Sequence, residues 1–136
     1  MLAADRKPGA LDAFRVARRW FMAGRRIEMQ ELAAEVGVNR ATLFRWVGGR
    51  DDLLGEILWS LAEPALAAAV EAADGKGAQR ITGAIGRFAA AVDQADFLRE
   101  FVRREPERAL RILTTRAGTL QSRLVASIEA LLQKAS

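Results

Sequence analysis

The sequence predicts an all-α protein in which a three-helix head containing a helix-turn-helix precedes a C-terminal bundle of further helices. Apolar residues recur at helical spacing along the whole chain of 136 residues. No stretch alternates convincingly between apolar and polar residues, as a half-buried strand would. Glycine and proline stand at the ends of the apolar segments, where they typically begin and end helices.

Composition favours a globular chain and lacks several of the residue types that most often carry catalysis. Hydrophobic residues make up 51% of the chain and charged residues 28%, and cysteine, histidine and tyrosine are absent. Disulfides, thiolate or imidazole metal sites and catalytic triads are therefore excluded. Carboxylates such as Glu56 with Glu63 have the spacing of ordinary solvated helix charges. We expect no enzyme, no catalytic residue, no metal and no cofactor. Because we find neither a signal region nor a membrane-spanning run, we expect a cytoplasmic protein.

Positive charge is concentrated at the N-terminus. Residues 1–50 contain ten lysines and arginines against five acids, whereas residues 51–136 contain eleven against twelve. A basic region joined to a nearly neutral remainder favours a polyanion as partner. An arginine-rich composition explains the same count equally well, so charge alone does not decide between the two.

The first two predicted helices each carry one apolar face. One runs over residues 10–23, between Pro8-Gly9 and Gly24, and the other runs over residues 29–36 and ends at Gly37. The residues expected to face inward are Leu11, Phe14, Ala17 and Phe21 in the first helix, and Leu32, Ala33 and Val36 in the second.

A third helix is predicted over residues 40–47. Asn39, the only asparagine of the chain, precedes it and can accept a hydrogen bond from a free amide of the first turn. Gly48-Gly49 ends the helix.

The C-terminal bundle is predicted to begin with a long helix over residues 50–73. Its first turn carries Asp51 and Asp52, which suit the positive end of the helix dipole. Pro64 is expected to kink or interrupt it, and residues 74–77 form a turn. The remaining helices are expected over residues 78–92, 96–104 and 106 to about 132.

The segment from Glu31 to Trp46, ELAAEVGVNRATLFRW, has the properties of a helix-turn-helix. Ala33 is small enough for the second helix to cross the first closely, and Gly37 suits the turn between them. The start of the second helix offers Asn39, Arg40 and Thr42 to base edges, with Arg45 one turn further on. An ordinary helical hairpin would scatter acids over this face, but none occurs from Val36 to Arg50. The segment therefore predicts recognition of DNA.

In this register the sequence resembles the TetR family of transcription regulators, through residues 37–54, GVNRATLFRWVGGRDDLL. The resemblance extends over about residues 10–60. Residues 104–114, REPERALRILT, are similar to the branch of quorum-sensing-degradation regulators within that family. The resemblance implies a ligand-responsive repressor that binds a pseudo-palindromic operator in double-stranded DNA as a homodimer.

The same resemblance divides the chain into a DNA-binding head, residues 1–50, and a helical regulatory and dimerisation region, residues 51–136. Typical members have two further long helices that pair between subunits, so we expect this chain to be short or incomplete at that end. A stripe in the last predicted helix either dimerises or folds back on the core. It consists of Leu113, Leu120, Leu124, Ile128 and Leu131.

The sequence departs from the family pattern at three places. Phe44 stands where the family has tyrosine, Arg50 replaces a lysine, and Glu28-Met29 replace two threonines, which is expected to remove a helix cap. Binding of the DNA backbone is then expected to rest on Arg25, Arg26, Arg45, Arg50 and an arm at Arg6-Lys7.

The predicted DNA-contacting set is Arg25, Arg26, Asn39, Arg40, Ala41, Thr42, Phe44, Arg45, Trp46 and Arg50. Arg40 is expected to read a guanine, because arginine pairs bidentately with that base. Ala41 and Thr42 are candidates for contact with a thymine methyl, and Thr42 alternatively for a phosphate. The amides at Gly49-Arg50 are expected to be free for another phosphate. Trp46 either packs on the DNA backbone or is buried between helices.

The bulky residues of the C-terminal region indicate a pocket for a small apolar or amphipathic effector, lined by Trp59, Phe88, Phe97 and Phe101. Arg87, Arg99 and Arg103 are possible anion partners for such an effector. Aromatic residues at helical spacing more often belong to a plain core than to a ligand pocket, and a core role is the interpretation favoured for Trp20 and Trp59. A different class of function stays open as well, namely a helical protein-interaction or apolar-ligand-binding module with no DNA role.

Overall fold

The computed structural model describes residues 8–115 together with residues 122, 125, 126, 129, 130 and 133. Residues 8–115 form seven helices and no strand, which confirms the all-α fold class. The helices are α1 (Ala10–Met22), α2 (Met29–Val36), α3 (Arg40–Val47), α4 (Arg50–Ala72), α5 (Ala78–Gln94), α6 (Asp96–Arg104) and α7 (Pro106–Thr115). The bounds of the first six agree with the predicted helices to within two residues. The Arg6-Lys7 arm, most of the predicted helix beyond Thr115 and most of its apolar stripe lie outside the described residues; the six described residues beyond Thr115 are helical.

The chain divides into two compact units, Met1–Ile57 and Leu58–Ser136, called here the N-terminal and C-terminal units. In the N-terminal unit α1 packs against both α2 and α3. Its buried residues are Ala13, Ala17, Trp20, Phe21, Ile27, Leu32, Ala33, Leu43, Leu53, Leu54 and Ile57. This core fixes the crossing of α2 and α3.

The buried face of α1 differs from the predicted one. Ala17 and Phe21 are buried as expected, but Leu11 is 55% exposed and Phe14 is only half-buried. Ala13 and Trp20 take their places. The reason is steric, since Ala13 and Ala17 present almost no side chain and let neighbouring helices approach α1 closely.

The C-terminal unit has its own apolar core, formed by Leu66, Ala69, Val70, Ala73, Ala84, Phe101, Ala109 and Ile112. Val70, Ala73 and Ala84 pack together where the end of α4 meets α5. Arg80 on α5 donates from Nη2 to the carbonyl of Val70 at 3.1 Å, which fastens the two helices at this point.

Helix α4 runs on to Ala72 with Pro64 inside it, so of the two effects expected at this proline, a kink or an interruption, the interruption does not occur. Glu63 and Pro64 are exposed, and Pro64 has no amide hydrogen to donate within the helix. By length and composition alone α4 is long and apolar enough to cross a membrane. Core helices of soluble proteins pass the same test, and α4 contributes Leu53, Leu54 and Ile57 to a protein core.

Candidate nucleic-acid interface

The turn between α2 and α3 is built on Gly37. Its φ of 88° and ψ of 31° lie in the left-handed region, where a side chain would be strained. The amides of Gly37 and Val38 both donate to the carbonyl of Ala33 at 2.9 Å, which closes the end of α2. The turn predicted at this glycine is confirmed.

The start of α3 is fixed by a side-chain cap. Asn39 Oδ1 accepts a hydrogen bond from the amide of Thr42 at 2.8 Å, as predicted for this asparagine. Leu43, 1% exposed, anchors the inner face of the helix in the core. Because cap and anchor are both in place, the opposite face of this eight-residue helix projects from the unit in a defined orientation.

That outer face of α3 is basic and apolar. Arg40, Ala41, Phe44 and Arg45 are exposed, and Phe44 is 63% exposed. Arg45 Nη2 donates to Thr42 Oγ1 at 3.2 Å along the helix. Among the described residues no acid forms an ion pair with Arg40 or Arg45. The predicted face therefore exists as an exposed, cationic surface.

Glu28 caps α2, which makes the expected loss of a cap at this position wrong. Its carboxylate accepts from the amide of Glu31 at 2.9 Å. Hydrogen bonds from the amides of Glu31 and Gln30 lower the pKa of Glu28 below its ordinary value of 4.5, and the charge of Arg40 adds to this effect. A carboxylate offers the same acceptor as a threonine hydroxyl, and its negative charge suits the helix N-terminus.

Arg25 is held in place by two partners. Its guanidinium lies 3.7 Å from the centre of the Trp20 ring, and Nη2 donates to Glu31 Oε2 at 2.9 Å. These contacts join the segment between α1 and α2 to both helices. Arg25 and Arg26 are exposed. Contact of either residue with DNA stays a prediction.

The segment joining α3 to α4 does not offer both of the free amides that were expected at Gly49-Arg50. The amide of Gly49 donates to Asp52 Oδ2 at 2.9 Å, so this N–H already has an acceptor. Arg50 Nε donates to the carbonyl of Ile27 at 2.7 Å, which ties the first residue of α4 to the segment before α2. Arg50 is thus a structural residue as well as a cation on this surface. The sequence gives no signal for the Ile27 contact, because the two residues are 23 positions apart.

Trp46 is half-buried against the same unit. Its ring lines a hollow of about 350 Å³ with Leu11 and Phe14 of α1 and with Val47 and Leu53. The two α1 residues that were expected in the core therefore lie beside Trp46. Of the two predicted roles for this tryptophan, the geometry favours packing between helices.

A second hollow, of about 550 Å³, lies beside Phe44. It is lined by Met29, Arg40, Ala41, Leu43, Phe44, Gly49 and Arg50. Phe44 was expected among the DNA-contacting residues and Glu28-Met29 was expected to cost a helix cap, but the sequence did not bring Met29 and Phe44 together. The signal lay in those two departures, since both put apolar side chains among arginines.

The four aromatic residues predicted to form a pocket in the C-terminal unit do line one cavity. It has a volume of about 620 Å³, and Trp59, Phe88, Phe97 and Phe101 are joined in its wall by leucine, alanine and valine side chains. Arg87, Arg99 and Arg103 are not among the lining residues. Arg99 pairs instead with Asp96 at 2.9 Å, and Arg103 pairs with Glu100, which lowers the pKa of that carboxyl. Within the described residues no group of three acidic side chains could hold a metal ion.

Comparison with known proteins gives two matches. The family model described as tetracyclin repressor-like, C-terminal domain, matches residues 76–136. Among solved structures, the chain is similar to the transcriptional repressor QsdR, from the TetR family, of R. erythropolis. The sequence identity is 35% and the TM-score 0.74, over 76% of this chain and 55% of that one. The chain therefore spans about half the length of that repressor. A search of the curated proteins gave no match.

Proposed function

From the membership of this chain in the TetR family of transcription regulators, we propose that it binds double-stranded DNA sequence-specifically through the outer face of α3. The observation that carries this proposal is the exposed cationic face of a helix that Asn39 caps and Leu43 anchors. A short rod of this kind has the dimensions to enter the major groove. Regulators of this family are generally non-enzymatic.

Arg40 is the proposed base-reading residue. It is the first residue of α3 and is exposed, and its side chain has no hydrogen-bond or ion-pair partner among the described residues. A guanidinium in this position can donate two parallel hydrogen bonds to O6 and N7 of guanine. Ala41 and Thr42 follow it and present methyl groups that fit a thymine. Arg45, one turn further on, and Arg26 supply positive charge for phosphates.

We further propose that the protein acts as a homodimer on a pseudo-palindromic operator, and as a cytoplasmic repressor. A second recognition helix in a fixed geometry multiplies a weak single-site affinity, because the second contact becomes intramolecular. Similarity to a TetR-family repressor supports this part of the proposal, as does the match of residues 76–136 to a tetracyclin repressor-like C-terminal domain.

The cavity of the C-terminal unit is proposed to bind the effector. Its volume of about 620 Å³ lies in the range of small-molecule sites, roughly 300–1,000 Å³. Because the lining consists of aromatic and aliphatic side chains, an ion would lose its hydration without replacement. The expected effector is therefore a neutral apolar molecule, or the apolar part of an amphipathic one.

Selection of bound sites from random duplex DNA tests the main proposal directly. We expect a sequence motif with two related half-sites. Binding to the selected duplex should fall steeply with salt, by roughly a hundredfold over a few-fold rise if about five phosphates are contacted.

Two substitutions on α3 separate base reading from backbone binding. Arg40→Ala should relax specificity at one base pair at a cost of about 1–3 kcal/mol, whereas Arg45→Ala should weaken binding to all sequences alike. Arg87→Ala, an exposed arginine of α5, removes the same charge outside the proposed interface and is the matched control. If Arg40→Ala behaves as Arg87→Ala does, the assignment of the base-reading residue is wrong.

The apolar cavity also favours a second candidate function, an apolar-ligand or protein-interaction module without DNA binding. Titration of the chain with duplex DNA at different salt concentrations distinguishes this function from DNA binding. An unaltered chain that takes up an apolar fluorescent probe, yet binds no duplex even at low salt, would support this alternative.

A further inference from the structure

An acidic residue lies beside the cationic face of α3, at the start of α2. Glu28 directly precedes Met29, the first residue of α2, and Met29 lines the hollow of about 550 Å³ together with Arg40. The beginning of α2 therefore adjoins the beginning of α3, where base reading is proposed. Arg26, two residues before Glu28, is exposed in the segment that leads into α2.

The Glu28 carboxylate is held in position and stays negatively charged. The amide of Glu31 donates to Glu28 Oε2 at 2.9 Å, so the side chain lies over the first turn of α2. Hydrogen bonds from the amides of Glu31 and Gln30 lower the pKa of this carboxyl, and the charges of Arg40 and Arg26 lower it further. The carboxylate is therefore within electrostatic range of both arginines, which are the groups that attract a polyanion to this surface.

A fixed negative charge in this position opposes the approach of DNA. Phosphates line both edges of the major groove, which is only about 12 Å wide, so a duplex whose bases meet the start of α3 also brings phosphates towards the start of α2. Two like charges about 7 Å apart repel appreciably at a protein surface, where the effective dielectric constant is lower than that of water. Because the Glu31 amide holds the side chain, Glu28 cannot swing away without losing its hydrogen bond.

On the basis of the proposed DNA binding, we propose that Glu28 limits the affinity of this chain for every duplex by repelling the DNA backbone. The carboxylate acts on phosphates, which carry no sequence information, so its effect does not depend on the base sequence. It offsets part of the attraction of the neighbouring arginines, which would otherwise hold the chain on unrelated DNA. Glu28 thus sets the level of nonspecific binding, while the residues of α3 set the base preference.

The test is Glu28→Gln in the full chain, which removes the charge and keeps an oxygen that can accept from the Glu31 amide. At about 0.1 M salt this variant should bind both the selected duplex and an unrelated duplex about three- to tenfold more tightly than the unaltered chain. The ratio of the two affinities should stay the same, and the gain should shrink as salt rises. Glu28→Asp keeps the charge and should bind as the unaltered chain does.

Glu35→Gln is the matched control for net charge. Glu35 is exposed on the same helix, seven residues after Glu28 and hence about 10 Å further along the helix axis. This separation is about one Debye length at 0.1 M salt, so Glu35→Gln should change the affinity little. Damage to the fold cannot imitate the expected result, because a residue that only caps α2 would lose affinity when it is altered and would not gain it.

Three results would overturn the inference. If Glu28→Gln binds no more tightly than Glu35→Gln, the carboxylate does not repel DNA. Weaker binding by Glu28→Gln would mean that the carboxylate supports the interface, and a gain confined to the selected duplex would mean that it acts on bases. If neither the unaltered chain nor Glu28→Gln binds any duplex, the proposed function itself fails, which is a different result from these three.

Discussion

Replacing Gly48 and Gly49 one at a time should have very different effects on stability, although the sequence presents them as an equivalent pair. Gly48 has a φ of 75° and a ψ of −158°, a region that residues with a side chain rarely adopt. A Cβ built on it would lie 2.7 Å from Asp52 Oδ2 and 3.1 Å from Asp52 Cβ. Gly49 has no positive φ, and its Cβ would meet Asp52 Oδ2 at 3.6 Å, an ordinary contact.

The expected loss of unfolding free energy in Gly48→Ala has two parts. Backbone strain in this region costs about 1–3 kcal/mol. The clash also displaces the Asp52 carboxylate, which accepts from the Gly49 amide at 2.9 Å, and loss of such a cap costs about 1 kcal/mol. The free energy of unfolding should therefore fall by about 2–4 kcal/mol in Gly48→Ala, and by no more than about 0.5 kcal/mol in Gly49→Ala.

Urea unfolding followed by tryptophan fluorescence measures both variants. The chain has three tryptophans, and in a Trp59→Phe background the remaining two, Trp20 and Trp46, both report on the N-terminal unit. Asp52→Ala should cost about 1 kcal/mol by itself. The double variant Gly48→Ala/Asp52→Ala should lose about 1 kcal/mol less unfolding free energy than the two single variants lose together. The reason is that the alanine no longer meets the Asp52 carboxylate, so the loss of the cap is counted only once.

Equal losses in Gly48→Ala and Gly49→Ala would refute this reasoning, since only the backbone angle and the Asp52 contact distinguish the two positions. Full additivity in the double variant would refute only the second part of the reasoning, the loss of the Asp52 cap. It would mean that the Asp52 cap survives the substitution at Gly48.

Three further predictions concern the same unit. Asn39→Ala should lower the free energy of unfolding by about 1 kcal/mol, because the Thr42 amide loses its acceptor, whereas Asn39→Ser keeps an acceptor and should cost little in the same urea titration. The lowered pKa of Glu28 implies a contribution to stability that is complete above its ordinary value of 4.5 and is lost as the pH falls through the lowered value. Unfolding measured from pH 7 to pH 3 should show this loss in the unaltered chain, and a smaller loss in Glu28→Gln. Arg25→Ala should lower the free energy of unfolding by about 0.5–1 kcal/mol, because the contact of the guanidinium with the Trp20 ring is lost. Arg25→Lys should retain less of this contact than arginine does but more than alanine does; if a thermal melt shows that Arg25→Lys is destabilised as much as Arg25→Ala, stacking of the planar guanidinium is supported, and if Arg25→Lys is as stable as the unaltered chain, it is contradicted.

The sequence by itself determined the features that depend on neighbouring residues. Helix bounds follow from apolar periodicity and from glycine and proline at the helix ends, and both signals lie within a few positions of the feature they specify. The turn at Gly37 and the cap at Asn39 are equally local, because each uses atoms no more than four residues away. The exposed basic face of α3 follows from the same periodicity.

Only the tertiary structure decided which partner each side chain meets. Arg25 and Arg50 looked like free cations in the sequence, but folding brings Arg25 onto Trp20 and Arg50 onto the carbonyl of Ile27. It also selects Ala13 and Trp20 over Leu11 for the buried face of α1. The sequence offers many arginines and apolar residues of similar character. Hydrogen bonds and packing act over only a few ångströms, so the choice among these residues is made by the three-dimensional arrangement of the helices.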